Sequence, residues 1–376
     1  MFFDSTVVKL LFNEGGDPVD YVTPQKYGAI GDGKADDTAA FQKAVDSGFD
    51  VFVPTERKQI YRITGIRIRN KRCRRIFSDG IAVRNDSAGI LADFAGAKDP
   101  KAAALFEVHT QTLTVGGLRI FSNMVNSHRA GLVISAMNPD VCDYDVKLID
   151  CGVHHFYKVM EGFGRGFEIV SCVIASTQYI LDLHWDDAKD SNKNHPAEYD
   201  QRGINIKQCR LHDIVSGFII VRSGHAYGLH FEGNTCDNGK GFLIRAYDQA
   251  YGWNITGNVI QGISGDFVVM DFRKGLRNCV ISGNTFLSDE GYWVGKEGTV
   301  ACWLKAGGNT TGSVIGNNVF KNAEGSFLTF KNLNGTAITG NAMYNKTATE
   351  NQAISITGKT AQSQILGNAI VGTAQA

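Results

Sequence analysis

The sequence predicts an all-β fold, a parallel β-solenoid, on three observations: a unit that recurs about every 25 residues, apolar alternation within each unit, and one residue kept in register from unit to unit. Laid out on the template apolar-x-apolar-x-x-(Asn/Cys)-x-apolar, the chain gives VKLIDCGV, FEIVSCVI, INIKQCRL, LHFEGNTC, WNITGNVI, CVISGNTF, SVIGNNVF, TAITGNAM and SQILGNAI. The register residues Cys151, Cys172, Cys209, Asn234, Asn258, Asn284, Asn318, Asn341 and Asn368 are separated by 21, 37, 25, 24, 26, 34, 23 and 27 residues. One such unit cannot bury its apolar face, whereas stacked units can. An array of hairpins is the competing reading, but two-residue hairpin turns favour Asn before Gly. Here Gly comes first, at Gly233, Gly257, Gly283, Gly340 and Gly367. That order suits a corner with positive φ at Gly, followed by an Asn that bonds the turn backbone and stacks amide on amide with its neighbours.

Taken from the amino terminus, residues 1–20 read as a leader. The leader lacks a basic n-region and carries Asp4 and Lys9 within its apolar run, so it does not read as a secretory signal. No apolar run approaches membrane-span length. Residues 21–50 read as a cap. Its stretch GAIGDGK has the spacing of a phosphate loop, but Ala35 stands where Ser or Thr is needed and no βαβ pattern follows. Asp32, Asp36 and Asp37 are too closely spaced, with no distal Glu, for an EF-hand loop. Asp36 or Asp37 instead caps a helix from Thr38 to about Val45, with Phe41, Ala44 and Val45 as its apolar stripe and Gly48 as its stop. This helix plugs the open end of the stack. Residues 51–376 are the coils. Each unit has a further strand (FYKVME, QYILDL, GFIIVR, GFLIRA, DFVVMD, SFLTFK), in which alternation points Tyr157, Tyr179, Phe218, Phe242, Phe267 and Phe327 inward. Lys158, Asp182, Val221, Arg245, Met270 and Phe330 are then outward, on the expected working face.

The 38 basic and 38 acidic residues cancel, so no global field argues for nucleic acid or an anionic membrane. Eight cysteines without a CxxC pair, three of them at register positions, read as reduced and buried, in keeping with synthesis in a reducing cytoplasm.

YGAIGDGKADDTAAFQKA, followed by VFVPTERKQIYRI, resembles the amino-terminal signature of the pectate-lyase-like superfamily, and the later units extend the resemblance over nearly the whole chain. Within it the chain is most similar to bacteriophage tailspike and depolymerase proteins. The resemblance implies a right-handed parallel β-helix in a homotrimer that binds or cleaves a bacterial surface polysaccharide, O-antigen or capsule. It also implies a place in the virion tail, beside other tail proteins, with neither nucleic acid nor membrane insertion. Outward apolar residues such as Val221, Met270 and Phe330 point to the same association.

Two units are enlarged, between Cys172 and Cys209 and between Asn284 and Asn318, and insertions in a solenoid emerge as loops on one face. Both combine carboxylates with aromatics, which suits a groove for sugar rings. Glycoside hydrolysis needs two carboxylates, and neighbouring coils can supply them. The expected acids are a pair from Asp182, Asp186, Asp187, Glu161 and Asp248, with Asp182 favoured. Trp185, His184, Arg222, Arg245, Tyr247, Asp271, Arg273 and Trp293 are the candidate substrate contacts. The Asp182-x-His184-x-Asp186 run has no evident fourth ligand, so neither a metal nor a cofactor is expected. Three classes stay open: a hydrolase, a lyase using a base among Lys, Arg, His or Tyr, and a non-catalytic receptor-binding fibre.

Overall fold

Short strands separated by single left-handed residues stack coil upon coil in this chain, because every turn of the solenoid repeats the same corner. The computed structural model describes residues 21–54, 59–79, 89–123, 129–138, 141, 143–184, 201–222, 226–263, 265–288, 300–349 and 352–373. It is a right-handed parallel β-helix, with one 27-stranded and one 13-stranded sheet. One coil shows the plan. Strand Lys158–Gly162 leads through a bend into strand Arg165–Val170, both in the larger sheet, and the chain then turns a corner at Cys172 into strand Val173–Ala175 of the smaller one. Each strand pairs in parallel with its equivalent a coil away, as Glu161 with Asp182 and Phe167 with Ile204.

The register residues form a continuous internal ladder. Asn258 shows the pattern. Its Nδ2 donates to Phe231 O at 2.7 Å and to Asn284 Oδ1 at 2.8 Å, while its Oδ1 accepts from Asn234 N and Nδ2, both at 2.9 Å. The same links run from Asn234 up to Asn368. Below Asn234 the corner is held by thiols: Cys209 N donates to Asn234 Oδ1, and the Cys172 and Cys209 Sγ donate to carbonyls of the coil beneath. The preceding residue is left-handed throughout, with φ of 63° at Gly233 and Gly257, 66° at Gly283 and 54° at Asn317. Replacing Asn258 by Leu removes four hydrogen bonds in a site 1% exposed. The expected loss is about 3 kcal/mol, read as a lower urea midpoint, and an unchanged midpoint would mean that the ladder adds nothing.

Helix α1, Thr38–Asp46, buries Ala40, Phe41, Ala44 and Val45 against the first coils, with the Phe41 and Tyr61 rings edge to face at 5.2 Å. The two candidate caps divide their work. Asp36 Oδ1 accepts the Thr38 N–H, whereas Asp37 turns back to accept Ile30 N at 2.7 Å and Gly31 N at 3.1 Å. The glycine-rich stretch is therefore tied by its own aspartates. The described cysteines, Cys142 lying outside, are buried free thiols.

The phase of the outer strand differs from strict alternation. Val221 is 1% exposed and Met270 and Phe330 are 0% exposed, all in the core, while Ile220, Asp271 and Thr329 occupy the outward position. In each strand two successive residues lie in the core, Val159 with Met160 and Phe218 with Ile219, which shifts the alternation by one position. Phe218 and Phe327 are inward as expected, but Tyr157 and Tyr179 lie half-buried on the outside, and Phe242 lies over Gly217 on that face. The expected association can no longer rest on Val221, Met270 and Phe330. The Phe267 side chain lies outside the described residues.

Candidate functional site

Parallel registration turns one position of the outer strand into a column that runs the length of the solenoid. From Ser135 upward it reads Ser135, Glu161, Asp182, Ile220, Arg245, Asp271, Lys305. Two residues further along the chain a second column reads His184, Arg222, Tyr247, Arg273, each held by a backbone bond to the coil below. Neighbouring coils are about 4.8 Å apart, so a charge in one column sits among those of the coils next to it.

The strongest convergence is at Glu161 and Asp182. Lys158 Nζ lies 3.0 Å from Glu161 Oε2 and 2.8 Å from Asp182 Oδ2, which bounds these two oxygens to within 5.8 Å of each other. Arg222 grips Asp182 with both arms, Nε to Oδ1 at 2.7 Å and a terminal nitrogen to Oδ2 at 3.1 Å. Ser135 Oγ donates to Glu161 Oε1 at 3.0 Å. His184 Nε2 is 3.7 Å from Glu161 Oε2, too far for a hydrogen bond, and has no hydrogen-bond partner among the described residues. The two acids differ in access: the Asp182 side chain is 1% exposed and that of Glu161 16%.

Both are held ionised. Burial pushes the Glu161 carboxyl up, but the neighbouring His184 and Lys158 more than offset it and bring it to about 2. At Asp182 burial acts upward too, and is outweighed by Arg222 and Lys158, so its carboxyl falls below the ordinary range. Lys158 is raised: burial opposes its charge, and Glu161 and Asp182 favour it more strongly.

The remaining expected residues fall higher on the face. Arg245 and Arg273 both approach Asp271 Oδ2, at 3.8 and 3.5 Å, and Asp248 pairs with Lys274 at 3.0 Å. Asp248 sits two coils above Asp182, apart from the cluster. The Arg245 guanidinium lies 4.1 Å from the Phe242 ring centre and that of Arg273 4.1 Å from Tyr247. Trp185, Asp186, Asp187 and Trp293 lie outside the described residues. Among the described residues, no three His, Cys, Asp or Glu side chains gather as a metal site.

Sequence reasoning named Lys158 as an outward residue without placing it in the site, and did not find Ser135. It also missed a stack at the bend between the two strands, where Tyr227 and Tyr251 lie face to face at 4.7 Å, with Arg202 and Arg277 over their rings. Reading down the register of aligned units would have found all three.

No protein-family model matches the sequence, and no curated protein matches it. Solved structures share its fold. One is a GH136 lacto-N-biosidase from Eubacterium ramulus, at 12% identity and a TM-score of 0.53 over 86% of this chain and 62% of that one. Another is the gp42 tailspike of Acinetobacter phage vb_AbaP_AS12, at 10% identity and a TM-score of 0.51 over 92% of this chain and 62% of that one. The chain thus spans less than two thirds of either, and at these identities the likeness establishes the β-helix.

Proposed function

We propose that this protein is a phage tailspike that binds a bacterial surface polysaccharide, O-antigen or capsule, and cuts it within the chain by hydrolysis. In this reading it is made in the host cytoplasm and acts as a homotrimer in the virion tail. The observation that carries the chemistry is the cluster of Glu161, Lys158, Asp182, Arg222 and His184 on the outer face. The amino-terminal signature and the fold shared with a phage tailspike and a lacto-N-biosidase support the same reading.

We assign the reachable, ionised Glu161 as base or nucleophile, since either task needs a carboxylate. Asp182, buried under Lys158 and Arg222, orients those cations. The proton donor is assigned to Asp186 or Asp187, which follow His184 in the chain. An oxygen separation within 5.8 Å is too short to seat a water between two catalytic acids, and both carboxyls are held ionised, so Glu161 and Asp182 do not serve together as acid and base.

A lyase is the second reading, favoured by Lys158, Arg222 and His184 gathering positive charge where a uronate carboxylate would be neutralised. Incubation with a panel of purified surface glycans, followed by fragment analysis, separates the readings. New reducing ends without an unsaturated uronate are expected. An unsaturated uronate would establish the lyase, and tight binding without fragments a receptor-binding spike.

A further inference from the structure

The hydrolytic reading gives no task to the stack at the bend, and the solenoid itself does not need it. In register from coil to coil the stack is a column of Arg202, Tyr227, Tyr251 and Arg277. Asp143 and Arg165 lie below it in the same column, and Thr311, Asn334 and Ala361 above. Those coils continue the parallel pairing without an aromatic residue at the position, so folding does not call for the rings. They occur instead in the four coils whose outer strands end in the second column, His184, Arg222, Tyr247 and Arg273. The eight positions on the two sides of the bend thus hold four arginines, three tyrosines, one histidine and no carboxylate.

The geometry of the stack sets what it can bind. The Tyr227 and Tyr251 rings lie face to face, 4.7 Å between centres and 21° between planes. Arg202, from the coil below, lies over Tyr227 at 5.2 Å, and Arg277, from the coil above, over Tyr251 at 5.6 Å. Cations and the partner ring therefore take the electron-rich ring faces, and no sugar ring can lie flat on either tyrosine. Both rings are half-buried and both arginines exposed, so the outward chemistry of the stack is that of electropositive ring edges, phenol hydroxyls and guanidinium N–H groups.

We propose that the stack is a subsite for the carboxylates of an acidic polysaccharide; the inference rests on the polysaccharide reading above and adds the substrate class. A planar carboxylate matches the guanidinium fork through two parallel hydrogen bonds. The two arginines are three coils apart, about 14 Å along the axis. A small anion cannot touch both, whereas a chain with acidic sugars at intervals, lying along the bend, can. Arg202 shares a coil with Asp182 and His184, and Glu161 belongs to the coil below, so a chain held on the stack runs on to the acid cluster.

Biolayer interferometry on immobilised O-antigens and capsules tests this, read in the association phase before cleavage shortens the chains. Each glycan is presented in native form and with its carboxyl groups reduced to alcohols. The wild type is expected to bind an acidic glycan, and the reduction to weaken that binding at least about tenfold. Arg202→Gln combined with Arg277→Gln is expected to weaken binding of the native glycan by a similar factor, to leave binding of the reduced one unchanged, and to keep the urea midpoint of the wild type. Thr311→Gln, in the same column above the stack, is expected to alter none of these. Full binding of the native glycan by the double variant, or a loss equal for both forms of the glycan, would overturn the subsite. Wild-type binding that survives the reduction overturns the acidic class and leaves the polysaccharide reading standing. Failure of the wild type to bind any glycan overturns both.

Discussion

Glu161→Gln is expected to lower polysaccharide cleavage at least about a thousandfold while the solenoid stays folded, because the substitution keeps the shape and removes the more exposed of the two ionised carboxylates described in the cluster. Its hydrogen bond from Ser135 can persist to the amide oxygen. A stability readout accompanies the kinetic one. The Glu161 carboxyl lies at about 2 in the folded chain, below its usual value of about 4.3. A depressed carboxyl stabilises the fold above the unfolded value, and that contribution disappears as pH falls through the folded one. The difference amounts to roughly 3 kcal/mol. The wild type should therefore lose stability between pH 4.5 and 2 more steeply than Glu161→Gln, whose amide does not titrate. Full cleavage activity in the variant would remove Glu161 from the chemistry, and parallel pH curves would remove the salt-bridge account of its carboxyl.

The corner ladder was legible because its signal is local: Gly before Asn, two strands of fixed length, and a unit that repeats. The outer strand was harder. Val159 and Met160, like Phe218 and Ile219, both lie in the core, so a period of two counted from the first inward residue comes out one position late. Asp182 and Arg245 were nevertheless placed outward, because their strands were counted from Tyr179 and Phe242, which lie outside rather than inward, and that displacement cancels the pair of successive inward residues. The adjacency of Glu161 and Asp182 was legible from unit length alone. Their difference in access was not, because it depends on how Lys158 and Arg222 fold over one acid and leave the other partly open.

Asp182→Asn is expected to act mainly on stability, although this residue was the favoured acid on sequence grounds. Its side chain is 1% exposed and touches two cations, Lys158 at 2.8 Å and Arg222 through two bonds. The amide leaves those cations with one carboxylate fewer, and breaking a buried ion pair from one side costs about 3 to 5 kcal/mol. In urea unfolding at pH 7, a double-mutant cycle with Arg222→Gln should return a coupling of about 2 kcal/mol. The charge fixes the pH dependence as well. Arg222 and Lys158 hold the Asp182 carboxyl below its ordinary value, against the effect of burial, so its contribution is complete above about pH 4 and fades as the medium becomes more acidic. The stability gap between wild type and variant should close over that interval. A gap equal at pH 3 and pH 7 would show that shape rather than charge is at stake. Cleavage should fall less than in Glu161→Gln, because the reachable carboxylate remains. If Asp182→Asn instead folds with wild-type stability and loses cleavage completely, Asp182 is the carboxylate that meets the sugar, and Glu161 becomes the residue that holds Lys158 beside it.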